Sequence, residues 1–193
     1  MATPKLLVID TETGGFDPEK HSILTLGAVV WADGAIAAEM ELLIIETPII
    51  VDPGALKVNH IDILQHVQDS RAVPPAQAIA NLQSFLDEHS GGSPAHKTFQ
   101  MAGHNIIDFD LGFLRRLCRL AAVKYDDVFP RRVHDTMIIA RFLTLANKLP
   151  LTGAKLKEVC DYYHIEYVPH HALSDARATA KLLAKLMDEV SGR

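Results

Sequence analysis

Residues 23–46 read Ile-Leu-Thr-Leu-Gly-Ala-Val-Val-Trp-Ala-Asp-Gly-Ala-Ile-Ala-Ala-Glu-Met-Glu-Leu-Leu-Ile-Ile-Glu. Two strand-like runs, Ile23–Trp31 and Ala35–Glu46, flank Asp33-Gly34. That dipeptide favours a two-residue hairpin turn, because both positions tolerate positive φ. Upstream, Lys5–Ile9 is a short apolar run ending at Asp10 and reads as a buried strand. The chain therefore opens with three strands joined by tight connections. Downstream the pattern changes. Residues 47–73, with Pro48, Pro53 and Gly54, read as a long connection holding a short helical piece. Pro74-Pro75 opens a helix to about His89, with Ala78, Leu82, Phe85 and Leu86 as its apolar stripe. Ser90–Pro94 is a loop and Phe99–Gly103 a short strand, with further helices at about 110–122, 135–147, 154–163 and 173–190. This order describes an α/β fold whose mixed sheet is antiparallel at first and parallel later, flanked by helices. With no repeat and no long linker, residues 1–193 read as a single domain.

The composition, 48% apolar and 22% charged, excludes disordered and fibrous classes. A chain of 193 residues buries roughly 70% of its unfolded surface and needs no staples. Its two cysteines, Cys118 and Cys160, exclude a disulfide scaffold and a four-cysteine zinc site, and suit a reducing compartment. The apolar run before Asp10 is too short for a signal peptide, and no run approaches the roughly 18 apolar residues of a membrane span. A soluble, cytoplasmic protein is expected, without a membrane partner. Twenty-four acids against nineteen Lys and Arg give −5, which argues against gripping nucleic acid by bulk electrostatics. The charge is uneven: residues 1–112 carry −10, residues 113–157 carry +7 and residues 158–193 carry −2.

Three clusters carry chemistry. Asp10 and Glu12 lie at the end of the first strand, where residues two apart face the same way and where open α/β sheets bind ligands. Taken alone, they also fit a polar turn. Asp108 and Asp110, in His104-Asn105-Ile106-Ile107-Asp108-Phe109-Asp110, lie where a helix begins, and alone fit ordinary helix-start acids. His170 and Asp175 are five positions apart, so within one helix they would sit about 140° from one another. They share a site only if His170 is on the loop and Asp175 in the first helical turn, with Ser174 as the cap. Together the clusters supply four carboxylates, a histidine and no sulfur. All-oxygen sites of this kind suit Mg²⁺ or Mn²⁺, and several carboxylates hold two ions roughly 3.5–4 Å apart across a phosphoryl displacement. A loop histidine beside them is suited to take the proton of the attacking water.

Asp10-x-Glu12, Asp110 within the His104–Asp110 segment, and His170-x₄-Asp175 resemble the three motifs of the DEDDh 3′→5′ exonucleases, of the DNA polymerase III epsilon subunit and ribonuclease T type. The resemblance runs from Leu6 to about Leu186. It implies a ribonuclease H-like fold and two Mg²⁺ or Mn²⁺ ions held by Asp10, Glu12, Asp110 and Asp175. It makes His170 the general base that activates water on the terminal phosphodiester and so releases nucleoside monophosphates. One residue more than in the epsilon type separates Asn105 from Asp110, so Asp108 competes with Asp110. His171 stands where glycine is common, so it competes with His170. Thr13 and Gly14 are expected to offer backbone N–H groups to the 3′ hydroxyl or phosphate. Val58, Asn59, Asn105 and Phe109 are expected at the substrate, with core packing the competing role for Phe109. His134-Asp135-Thr136 matches a segment whose aspartate supports the site from behind, and Asp135 fits a helix N-cap equally well. Arg115, Arg116, Arg119, Lys124, Arg131 and Arg132 are candidates to track phosphates, or else form a solvated helix face.

The implied partners are the 3′ ends of single-stranded DNA or RNA, DNA being favoured for a proofreading or repair type. A homodimer and a polymerase complex are the assemblies open to it. RNA trimming, or degradation of short oligoribonucleotides, is the alternative activity. A module that has lost activity would lack a ligand position, and all five are present. A zinc hydrolase would need a His-x₃-His pair beside a carboxylate, which the ten histidines do not form.

Overall fold

The strands are β1 (Lys5–Thr13), β2 (Ile23–Ala32), β3 (Ala35–Leu43), β4 (Phe99–Gly103) and β5 (Val133–Asp135). They form one five-stranded sheet in the order β3-β2-β1-β4-β5. β1 pairs antiparallel with β2, and β2 with β3, whereas β1 with β4 and β4 with β5 are parallel. The computed structural model describes residues 5–192. Residues 1–4 and 193 of the expected single domain lie outside them.

The sheet is the one expected, and its departures have local causes. β1 continues past Ile9 because Asp10, Thr11 and Glu12 keep pairing with Gly27, Leu26 and Thr25. β3 stops at Leu43, and Ile44 makes only an isolated bridge to Val73. β5 is three residues long, too short to display a period of two. Two helices, α1 (Pro53–Asn59) and α2 (Ile63–His66), occupy the long connection, each capped by an aspartate, Asp52 and Asp62. The longer helices α3 (Pro75–Ser90), α5 (Asp110–Leu120), α7 (Thr136–Leu145), α8 (Leu156–Tyr162) and α9 (Ala172–Ser191) fall near their expected places. The four-residue turns α4 (Ala95–Thr98) and α6 (Tyr125–Val128) carry no readable period. The cap of α9 is a correction: it is His171, while Ser174 lies inside the helix and its Oγ accepts from the Val168 N–H at 2.8 Å.

Alternation along β1 assigns the layers. Leu7 and Ile9 face the core formed with α3 and α5, including Leu82, Leu86, Phe113 and Leu117. Leu6 and Val8 face α9, through Ala176, Ala180 and Leu183. A third cluster joins α7, α8 and α9 around Leu143, Val159, Leu182 and Leu186. Leu7 and Ile9 are fully buried, each contributing roughly 1.5–3 kcal/mol of apolar transfer. Among the described residues no helix is long and apolar enough to cross a membrane.

One buried ion pair ties α5 to the segment after β3. Arg116 of α5 donates from Nε and an NH₂ nitrogen to Glu46 and from its other NH₂ to the Pro18 carbonyl. Glu46 also accepts from Ser22 Oγ and the Ile23 N–H. Removing one partner leaves the other charge buried and alone. Arg116→Met is therefore expected to cost about 3–5 kcal/mol in urea denaturation. A loss below about 1 kcal/mol would mean that the pair behaves as a solvated surface bridge.

Candidate active site

The parity that sends Leu6 and Val8 toward α9 continues to Asp10 and Glu12. Both carboxylates thus reach the sheet face where α9 begins, at the C-terminal ends of the parallel strands. Asp175 lies in the first turn of α9 and His170 on the loop before it, as their spacing requires. Ligand atoms of Glu12, His170 and Asp175 lie within 4.8 Å of one another. His170 adopts a left-handed backbone, φ 59°, and its N–H donates to Asp175 Oδ2 at 3.2 Å. The other Asp175 oxygen, Oδ1, is buried with no hydrogen-bond partner.

The seat of α9 depends on a glycine that sequence reading passed over. Gly27 is the antiparallel partner of Asp10. A Cβ at Gly27 would fall inside contact distance of the Ala172 carbonyl and the Leu173 nitrogen. The first turn of α9 therefore rests directly on a bare Cα beside Asp10. Gly27→Ala must push that turn, with Asp175 and His170, away from β1. A shift of about 1 Å costs on the order of 10²-fold in rate. The variant is expected to keep a wild-type circular dichroism spectrum and lose activity on that scale; wild-type turnover would refute the seating.

Asp110 begins α5 and, unlike Asp108, reaches the cavity. It is buried, and Oδ1 accepts from Thr11 N at 2.9 Å and Thr11 Oγ1 at 2.7 Å. It lines the same cavity as Asp10, Glu12, His170 and Asp175, of about 190 Å³. Asp108 is exposed and lies outside that lining. The two histidines also separate. His171 points to Glu41, with Nδ1 3.5 Å from Oε1, and lines a neighbouring cavity instead.

The loop carrying Asn105 and Phe109 is held from behind by Asp135. Its Oδ1 caps α7 by accepting from the Met137 and Ile138 N–H groups, and also accepts from Asn105 N. Its Oδ2 accepts from Ile107 N. Asp135 is therefore both the N-cap and the support. His104, buried at the cavity floor, is fixed by Thr136 Oγ1 at 2.9 Å and the Ala154 carbonyl at 2.8 Å. Burial lowers its pKa.

Among the expected substrate residues, Thr13, Val58, Asn59, Asn105 and Phe109 line the cavity. Gly14 does not, and its N–H donates to the Ser22 carbonyl at 2.7 Å, so the donor role expected of it is overturned. Asn59 is engaged within the protein, with Nδ2 donating to Thr13 O and Oδ1 accepting from Ile61 N. Phe109 is half-buried rather than plain core, with ring contacts to Phe113 at 5.2 Å and Phe16 at 6.3 Å. Phe16 escaped the sequence reading although it follows Gly14-Gly15. It is 79% exposed at the cavity mouth.

Most of the basic candidates of the middle segment have partners within the protein. Arg116 is paired with Glu46, Arg119 with Glu19 and Arg131 with Asp126, and Arg115 stacks over Tyr125. Lys124 and Arg132 form no ion pair among the described residues.

The carboxylates repel one another, and burial strengthens the repulsion. Burial, then Asp175 and Asp110, push Glu12 up to about 8. Burial raises Asp110 and Asp175 to about 7 each, against hydrogen bonds from Thr11 and from the His170 N–H that pull them down. Asp10 is raised well above its ordinary range by burial, then by Asp110, Asp175 and Glu12. Four clustered carboxyl groups without a paired cation, one with an orphaned buried oxygen, form a donor set that fits a divalent ion.

A family model described as an exonuclease, RNase_T, matches residues 7–183. The chain belongs to this exonuclease family. Ribonuclease T of Haemophilus influenzae (strain PittEE) is 25% identical over 199 residues, covering 95% of this chain and 80% of that relative. Escherichia coli exonuclease I in complex with a dT13 oligonucleotide superposes with a TM-score of 0.83 at 14% identity. The exonuclease I of Methylocaldum szegediense superposes at 0.81 and 18% identity. At such identities these structures speak to the fold, which is ribonuclease H-like. They cover 98% and 99% of this chain, which spans only 42% of each of them. As a DEDDh-type family member, the chain is a 3′→5′ exonuclease acting on nucleic acid.

Proposed function

We propose that this exonuclease hydrolyses the terminal phosphodiester of single-stranded or frayed 3′ ends in a divalent-metal-dependent reaction. The observation that carries this reading is the convergence of Asp10, Glu12, Asp110, Asp175 and His170 on one cavity. The four carboxylates would hold two Mg²⁺ or Mn²⁺ ions, which when bound supply charge neutralisation for the attacking and leaving oxygens. An imidazole nitrogen of His170 takes a proton from the attacking water. The water oxygen bonds to phosphorus as the bond to the 3′ oxygen of the preceding nucleotide breaks. A nucleoside 5′-monophosphate leaves, and the departing 3′ oxygen takes a proton from solvent, so the shortened strand ends in a 3′ hydroxyl. Phe16 and Phe109 flank the mouth of the cavity and offer ring surface to the terminal base.

DNA is the favoured strand. A terminal sugar against Val58 and Asn59 meets an apolar side chain and an amide whose nitrogen and oxygen each already make one hydrogen bond within the protein. A 2′ hydroxyl against Val58 gains no polar contact there, which favours deoxyribose. RNA remains the second reading, because the curated relative is a ribonuclease T. The test is to run 5′-labelled DNA and RNA single strands side by side with Mg²⁺ or Mn²⁺. A ladder shortening from the 3′ end, abolished by EDTA, is expected, with DNA the faster. No digestion of either strand would overturn the reading; faster RNA digestion would overturn the strand assignment.

A further inference from the structure

β1 and β4 run in parallel register from Lys5 opposite Phe99 to Val8 opposite Ala102, and β4 ends at Gly103. β1 continues to Thr13. Past the end of β4 the Thr11 N–H donates to Asp110 Oδ1 at 2.9 Å, and the Thr11 hydroxyl donates to the same oxygen at 2.7 Å. Thr11 shares the parity of Leu7 and Ile9, which face α5, whereas Asp10 and Glu12 share that of Leu6 and Val8, which face α9. Asp110, at the start of α5, therefore joins the other carboxylates from the opposite face of the sheet, and Thr11 is where it is held.

A carboxylate turns easily about its last torsion, which has only a broad two-fold preference. The like charges of Asp10 and Glu12 act on Asp110 across the cavity and drive an untethered carboxylate away from them. Thr11 opposes both effects. It is buried, at 5% exposure, against an Asp110 at 3%. Both of its donors fall on Oδ1, so Oδ2 takes no part in the tether. Asp175 is arranged in the same way from the other face: the His170 N–H donates to Oδ2, and Oδ1 is buried without a partner. Each helix-borne carboxylate thus has one oxygen tied to the protein and one left out of the tie.

We propose that Thr11 is a positioning residue for the metal site: by tethering Oδ1 from both its backbone and its hydroxyl, it fixes Asp110 with Oδ2 presented to a divalent ion. This rests on the metal-dependent reading above. The backbone half of the tether is open to any residue but proline at position 11, whereas the other half needs a hydroxyl such as that of threonine or serine. Groups that orient a ligating carboxylate in this way typically account for about 10–100-fold in metal affinity. Strand packing, the competing role, asks only for a β-branched side chain and is served equally well by valine.

The test separates the hydroxyl from the shape. Thr11→Val keeps the branched side chain and the backbone N–H and removes the hydroxyl. It is expected to raise the Mn²⁺ concentration that gives half-maximal thermal stabilisation by about 10–100-fold, with Thr11→Ser staying within a few-fold of wild type. Electron paramagnetic resonance of free Mn²⁺ should report the same shift. At saturating Mn²⁺ the KM for a single strand should change by no more than a few-fold. Thr11→Ala should behave as Thr11→Val, so the hydroxyl is tested even where valine does not fold. In Asp110→Asn the tether has no carboxylate to orient, so adding Thr11→Val should weaken Mn²⁺ binding no further. Unchanged Mn²⁺ affinity in Thr11→Val would overturn the proposal and leave the threonine as strand packing. So would a serine variant as weak as the valine, or a further loss in the double variant. A wild type that binds Mn²⁺ and shows the shift but cuts no strand would overturn the exonuclease reading alone, whereas a wild type without Mn²⁺ binding would overturn both.

Discussion

His170→Ala is expected to lower kcat by about 10²–10⁴-fold, the range that general-base catalysis supplies. The side chain is exposed and belongs to no core cluster, so its removal leaves the fold intact. What it removes is the ring beside Glu12 and Asp175. Because the proposed charge for the ions resides on the four carboxylates, the variant should still gain thermal stability from added Mg²⁺ or Mn²⁺. KM should change far less than kcat, since the deficit lies in the transition state. His171→Ala is the internal control: its ring faces Glu41, so turnover should stay within a few-fold of wild type. Normal cleavage by His170→Ala, or a crippled His171→Ala, would reverse the assignment.

The second large effect is on stability against pH. In the metal-free protein Glu12, Asp110, Asp175 and Asp10 all have folded pKa values raised above their unfolded ones, up to about 8 for Glu12 and about 7 for Asp110 and Asp175. The folded state then holds more protons than the unfolded chain between roughly pH 4 and pH 8. The stability tied to these protons is complete below the unfolded values and is lost as pH rises through the folded ones. His104 works the other way, its lowered pKa adding stability as pH rises through the ordinary histidine range. One histidine is outweighed by four carboxyl groups. Protein treated with EDTA should therefore lose about 5 °C or more of Tm between pH 5 and pH 8, equivalent to about 2 kcal/mol. Saturating Mg²⁺ or Mn²⁺ should oppose that fall, and its stabilising effect should grow with pH because bound cations replace the protons. A Tm that rises with pH under EDTA, or a metal effect independent of pH, would show that the cluster is solvated and uncoupled.

The strong periodicities were legible in the sequence. Ile23–Trp31, the Asp33-Gly34 turn and the stripe Ala78, Leu82, Phe85 and Leu86 each encode their element within a few residues. The convergence of the carboxylates and His170 on one cavity was legible because their spacing places each at a strand end or a helix start. β5 was not, since three residues carry no pattern. Nor was Gly27, whose role arises only when α9 arrives from 145 positions later in the chain, at Ala172. Gly14 misled for the opposite reason: it sits beside the site in sequence, yet its N–H faces Ser22. The partners of the basic segment were not legible, because a charge count says nothing of partners, and Glu46, Glu19 and Asp126 come from elsewhere in the chain or from a neighbouring turn. Asp135 fitted two roles in the sequence, and its two oxygens perform both.

That shared carboxylate has a mechanical meaning. The wall of the cleavage chamber and the first turn of the helix beside it hang from one side chain, so a displacement of either is felt by the other through Asp135.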